Sequence, residues 1–235
     1  MPKPAAQKPD AVIFDWDDTI VDTWQVVRSA INATLAHFGH DAWTEDEARK
    51  RIGPPARVLF TGLFGEDKWQ EADSVYIEAY KSNITAHIRL HDGARETLDM
   101  LKTAGIPMAV VSTKRGGLLR TEAAQLGLDG YFTNMVGAGD APHDKPHADA
   151  VHFGLQNCGV KPSKNVLFVG DSVTDMITAE NAGCTGILIE TKPPAEESLA
   201  AHPPACRVRN HAALADFLKK SFPQKTPPHI TPPAL

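Results

Sequence analysis

The chain has 235 residues, 42% of them apolar, and a formal net charge of -5. That length can bury a substantial core, in one large domain or in one core carrying a smaller insert. The acidic balance leaves no basic footprint for nucleic acid, and no apolar run approaches the roughly 18 residues of a membrane span.

Residues 1–10 carry lysines and prolines with no apolar stretch behind them, so they read as a disordered lead-in and not as a signal peptide. A short apolar strand, Val12 to Phe14, follows and ends abruptly in Asp15-Trp16-Asp17-Asp18-Thr19. Carboxylates crowded at that spacing repel one another, and a buried one is costly without a cation or hydrogen-bond donors. From about Val21 to Ala86 the pattern is helical with no strand signal. Val26, Val27, Ala30, Ile31, Leu35 and Phe38 recur at helical spacing and stop at Gly39. Thr44 with Glu47 forms a capping box that opens a second helix. Gly53-Pro54-Pro55 is a turn, Val58 to Leu63 restarts a helix, and Trp69 to Ile84 is another. Residues 22–86 are therefore expected to form an all-helical insert, with residues 11–21 and 87–222 making the core.

After Leu90 the pattern alternates. Helices are expected at Ala94–Thr103, Gly117–Leu126, Ala148–Asn157, Ser172–Asn181 and Ala212–Lys219, and strands at Pro107–Val111, Tyr131–Val136, Asn165–Val169 and Thr185–Ile189. Residues 223–235 hold five prolines and read as a disordered tail. Cys158, Cys184 and Cys206 are odd in number and widely spaced, which suggests buried thiols in a reducing cytoplasm. Short apolar strands between helices predict an α/β fold: a Rossmann-like, doubly wound parallel sheet, with the all-helical unit inserted.

Such sheets bind ligands at the carboxyl ends of their strands. Three expected strands deliver polar groups to that edge: Asp15 and Asp17; Ser112, Thr113 and Lys114; and Asp171, Ser172 and Asp175. Hard carboxylate oxygens suit Mg²⁺, which takes a few carboxylates together with substrate phosphate oxygens. A carboxylate is also a competent nucleophile at phosphorus, provided that positive charge surrounds the phosphoryl group.

The ordered set resembles the haloacid-dehalogenase superfamily of phosphatases. Asp15-Trp16-Asp17-Asp18-Thr19 matches its first motif, Ser112 its second, Lys145-Pro146 its third, and Gly170-Asp171-Ser172-Val173-Thr174-Asp175, with Ala182-Gly183 beyond, its fourth. The resemblance implies Asp15 as nucleophile and metal ligand, and Asp17 as general acid/base that ligates the metal through its backbone carbonyl. It implies Ser112, with Thr113 beside it, and Lys145 as phosphoryl-binding groups. Asp171 would be a direct Mg²⁺ ligand, with Asp175 holding a metal-bound water or orienting Lys145. The helical insert would be a cap, as in the phosphoglycolate phosphatase-like branch, and Val21-Asp22-Thr23 and His91-Asp92-Gly93 resemble the segments flanking it. The implied activity is hydrolysis of a small phosphorylated metabolite, with phosphomutase chemistry and non-catalytic binding of a phosphorylated ligand as alternatives. Monomer and homodimer both stay open. Asp17 argues against the dehalogenase and phosphonoacetaldehyde hydrolase branches, which lack an aspartate there.

Asp18 departs from the glycine most relatives carry and is expected to face solvent. Trp16, between the two aspartates, is expected to turn away into packing. Ser112 reads both as a phosphate ligand and as a cap for the next helix. Lys114 and Arg115 read equally as a solvated face and as a lure for an anion. Arg57 is a candidate substrate contact. His143, His147 and His152 lack the cysteines or fourth ligand of a zinc site.

Overall fold

A computed structural model describes residues 8–52, 54, 56–191 and 196–220. Most of the lead-in, the proline-rich tail, and Gly53 and Pro55 of the expected turn lie outside the described residues.

Six parallel strands form one sheet in the order β5-β4-β1-β6-β7-β8. They are β1 (Ala11–Phe14), β4 (Met108–Arg115), β5 (Asn134–Ala138), β6 (Val166–Gly170), β7 (Thr185–Ile189) and β8 (Cys206–Val208). The order reverses direction at β1, so the first acidic stretch lies at the topological switch point, where open α/β sheets hold their ligands. Strand alternation divides the core into two layers. Val12, Phe14, Met108, Val110, Val169 and Ile187 face α5 (Ala94–Thr103), α6 (Gly116–Gln125) and α10 (His211–Lys219). Ala11, Ile13, Ala109, Val111 and Phe168 face α7 (Ala148–Leu155) and α8 (Val173–Asn181). Each of these fully buried Val, Ile and Phe side chains contributes about 1.5–3 kcal/mol relative to exposure. A short α9 (Glu196–Leu199) packs Leu199 against Met176 and Leu188.

The inserted segment forms α1 (Trp24–His37), α2 (Glu45–Arg51), α3 (Ala56–Phe64) and α4 (Trp69–His87), with an apolar centre of its own built on Trp24, Ile31, Leu35, Trp43, Phe60 and Ala72. The Thr44–Glu47 capping box opens α2 as expected. A second cluster, Val26, Ala30, Tyr80 and Ile84, meets Leu118 of α6 and so joins the helical unit to the sheet.

Several boundaries differ from the sequence reading. The two crossings between unit and sheet pair as a small antiparallel ladder, β2 (Val21–Asp22) with β3 (Arg89–Leu90), tied by an Arg89–Asp22 ion pair of 2.5 Å. Two-residue strands are too short to show alternation, so no strand signal was visible there. β5 begins three residues later than expected, because Leu128 to Thr133 turn back toward the sheet before pairing starts. β4 continues past Ser112 to Arg115 with an irregular register against β5, and β8 is an edge strand of three residues. Of the three free cysteines only Cys184 is buried; Cys158 and Cys206 are half-buried.

Candidate active site

Asp15 follows β1 directly, and its N–H donates to Val169 O at 2.8 Å, prolonging the ladder by one step. The chain then wraps around Trp16, whose carbonyl accepts from Thr19, Ile20 and Val21. This wrap needs a left-handed residue, and Asp18 supplies it at φ 56°. Aspartate tolerates that region better than most residues, and Thr191 donates its hydroxyl to the Asp18 carbonyl. From behind, the buried His211 donates Nε2–H to Thr19 O at 2.7 Å. Thr19 in turn donates its hydroxyl to Asp171 Oδ1 at 3.2 Å.

Asp171 and Asp175 are placed by a local rule. Ser172 caps α8 and Asp175 stands three residues on, so a reciprocal capping box forms. Asp175 Oδ2 accepts from Ser172 N at 2.9 Å and from its hydroxyl at 2.6 Å. Its other oxygen accepts from Lys145. Lys145 is almost fully buried; its ammonium also donates to Asp15 Oδ1 at 2.8 Å and to Val111 O at 3.2 Å, and it lies 5.3 Å from the Phe168 ring centroid. The Lys145–Pro146 peptide is cis. Ser112, 4% exposed, accepts from Lys114 N at 3.1 Å. It does not cap the next helix, whose N-cap is Arg115. Thr113 is exposed beside it.

Asp15, Asp171 and Asp175 are all buried, with one oxygen each within 4.8 Å of the others. Burial pushes Asp15 up to about 7, against the pull of the Lys145 ammonium. Burial, reinforced by the Asp175 and Asp15 charges, raises Asp171 well above the usual carboxylate range. Burial alone would lower Lys145, but the two carboxylates outweigh it and hold the ammonium charged. One lysine does not neutralise three buried carboxylates, so this donor set fits a divalent, oxygen-seeking cation such as Mg²⁺. With both oxygens of Asp175 engaged, Asp15 and Asp171 are the freer donors.

Asp17 is 32% exposed at its side chain and takes both its contacts on Oδ1: Thr23 Oγ1 at 2.6 Å and Lys114 Nζ at 2.6 Å. Lys114 is therefore neither a solvated face nor a lure. Its buried ammonium also donates to Glu122 Oε2 at 2.6 Å and to Tyr80 Oη at 2.7 Å. Glu122, fully buried on α6, further accepts from Trp16 Nε1 at 2.7 Å and from Tyr80 Oη at 2.9 Å. Trp16 does pack as expected, edge-on to Phe132, and it also carries this hydrogen bond. Glu122 escaped the sequence reading, although a usable signal existed. It falls between Leu119 and Ala123 on the buried stripe of α6, where a carboxylate needs partners.

Other candidates lie elsewhere. Arg57 is exposed, pairs with Glu66 at 3.2 Å and stacks on Trp69. Arg115 reaches across to Asp73 of α4. His143 and His147 converge on Asp149 at the exposed start of α7, while His152 takes no part.

The model of the haloacid dehalogenase-like hydrolases matches residues 12–189. Phosphoglycolate phosphatase 1 of Pseudomonas aeruginosa is 31% identical over 188 residues, spanning 76% of this chain and 68% of that protein. Pyrophosphatase PpaX of Bacillus velezensis is 30% identical over 173 residues, spanning 74% and 79%. The crystal structure of a HAD-superfamily hydrolase from Ehrlichia chaffeensis is 30% identical, covers 92% of this chain and 98% of its own, and superposes with a TM-score of 0.64.

Proposed function

The chain belongs to the haloacid dehalogenase-like hydrolases and is a phosphatase of that family, and from that premise we propose that it hydrolyses a small phosphate monoester of the phosphoglycolate type, with Mg²⁺, through an aspartyl-phosphate on Asp15. The observation that carries this reading is the buried Lys145 joining Asp15 to Asp175, with Asp171 in the same cluster.

Lys145 holds one oxygen of Asp15, which orients the carboxylate for attack on phosphorus. The P–O bond to the leaving group breaks as a bond to Asp15 forms, and Asp17 gives a proton to the departing alkoxide. Ser112 binds a phosphoryl oxygen, and the Lys145 ammonium, whose hydrogens go to Asp15, Asp175 and Val111 O, sets its positive charge beside the phosphoryl group. The Asp17 carboxylate then takes a proton from a water whose oxygen attacks phosphorus. The Asp15–phosphorus bond breaks, and inorganic phosphate leaves. Asp15 and Asp171, with the Asp17 carbonyl, would hold Mg²⁺, whose charge offsets that of the nucleophile and phosphate. Asp175 acts behind them, fixing Lys145. The helical unit on residues 22–86 serves as the cap that admits substrate and then excludes water.

A pyrophosphatase relative at 30% identity favours one second reading, inorganic pyrophosphate as substrate. Phosphate release from phosphoglycolate, sugar phosphates, nucleoside monophosphates and pyrophosphate, with Mg²⁺ and with Asp15→Asn as the blank, separates the two. A preference for one small monoester supports the first reading, and a preference for pyrophosphate replaces it with the second. Release that persists in Asp15→Asn overturns both.

A further inference from the structure

Lys114 is a lysine whose ammonium has three hydrogens and three acceptors, on Asp17, Tyr80 and Glu122, each at 2.6 or 2.7 Å. Its side chain is 7% exposed and its carboxylate partner Glu122 is fully buried. Burying such a pair in place of apolar side chains seldom adds stability, so it calls for a role in placing something. What it touches is informative. Tyr80 Oη accepts from Lys114 and donates to Glu122, while Glu122 accepts from Lys114, so the three close a ring. Trp16 Nε1 ties the ring to the turn that carries Asp17. Tyr80 belongs to α4 of the helical unit, Lys114 to β4 and Glu122 to α6. Beside the ring, Leu118 of α6 packs against the cluster formed by Val26, Ala30, Tyr80 and Ile84, and Arg115 pairs with Asp73.

We propose that Lys114 is the positioning residue for Asp17, held in place by Glu122, and that Tyr80 makes this placement depend on the seating of the helical unit. The proposal rests on the reading of Asp17 as general acid/base. Lys114, together with Thr23, binds Oδ1 of Asp17, so Oδ2 is the oxygen that would carry the proton. When α4 lifts, Tyr80 leaves, the ring opens, and Lys114 loses one of the contacts that fix it. Proton delivery is thereby coupled to closure over the substrate.

The test exploits leaving groups. An alkyl phosphate needs its departing oxygen protonated, whereas p-nitrophenyl phosphate expels a stable phenolate. Rapid-quench single-turnover rates of phosphoryl transfer to the enzyme are compared for p-nitrophenyl phosphate and for the alkyl ester released fastest in the substrate panel. The alkyl-to-aryl rate ratio should fall about 100-fold or more in Asp17→Asn, the usual weight of a general acid. It should fall about tenfold in Lys114→Met and about threefold in Tyr80→Phe, which loses only a hydroxyl. Because Lys114→Met strands the Glu122 charge, a Lys114→Met/Glu122→Gln variant removes both charges, while the amide oxygen still accepts from Trp16 Nε1 and the amide N–H can donate to Tyr80 Oη; it should show the tenfold fall too. A purely structural role would slow both esters alike. That result, or unchanged ratios, in the Lys114 variants while Asp17→Asn shows its fall would overturn the positioning role. No fall in Asp17→Asn would defeat the acid/base reading itself, and the positioning role with it.

Discussion

His211 makes a stability prediction that can be worked from the structure. The ring is fully buried, donates to Thr19 O at 2.7 Å, and has no partner for Nδ1 among the described residues. Burial lowers it from 6.5 to about 4, despite the carbonyl that favours its charged form. Between those values the unfolded chain binds a proton that the folded chain does not, so stability is complete above 6.5 and is lost as the pH falls toward 4. The full shift corresponds to about 3 kcal/mol at 1.36 kcal/mol per unit, of which about 2 kcal/mol is gone by pH 5. Replacing His211 with glutamine keeps a donor for Thr19 O and removes the titration. Urea unfolding of both proteins at pH 7.5 and pH 5 gives the comparison, because titrating groups other than the neighbouring His91 contribute nearly equally to each and cancel in the difference. The wild type should lose about 2 kcal/mol more than His211→Gln on going to pH 5. Equal losses would refute the reasoning, since His211 would then bind its proton as readily folded as unfolded.

Two further substitutions probe the carboxylate cluster. A Cβ on Gly170 would fall 2.2 Å from Asp175 Cγ, so Gly170→Ala must displace the residue that fixes Lys145. It should cost about 1–3 kcal/mol in denaturant unfolding, as overpacking does, and lower kcat more than it raises KM. Asp18→Gly suits the left-handed backbone at φ 56° but gives the unfolded chain more freedom, so its stability should change by less than about 1 kcal/mol. Asp18 is also one of the charges that raise Asp171, so the same variant should lower KM for a dianionic ester about two- to threefold at low salt, an effect that added salt removes. A salt-independent KM would place the Asp18 charge outside the reach of the substrate.

The groups legible in the sequence were those whose position follows from the end of a strand. Asp15, Ser112 and Asp171 stand where apolar runs stop, and a parallel sheet brings those stops to one edge. Asp175 was legible for a second reason, the capping spacing from Ser172. What escaped depended on contacts between distant segments. Lys114 looked like half of an exposed basic pair, and its burial comes from Tyr80, which lies 34 positions earlier on a separate helix. Glu122 satisfies helical periodicity only as an exception on an apolar stripe. The β2–β3 ladder is too short to leave a pattern, and β5 starts late because the preceding turn includes the apolar Tyr131 and Phe132, which extend the apparent strand while packing against the core. For Lys114 and Glu122, local pattern placed the backbone and long-range partners decided the side chain.

The central claim is that phosphate passes through Asp15 in a Mg²⁺-dependent step. Its most direct measurement is a rapid acid quench of the enzyme turning over its best ester with Mg²⁺, followed by peptide mass mapping of the trapped protein. One phosphoryl group should appear on the peptide holding Asp15, be released by hydroxylamine, and be absent both in excess chelator and in Asp15→Asn. Turnover with the phosphoryl group on another residue, or undiminished phosphate release by Asp15→Asn, would contradict the account.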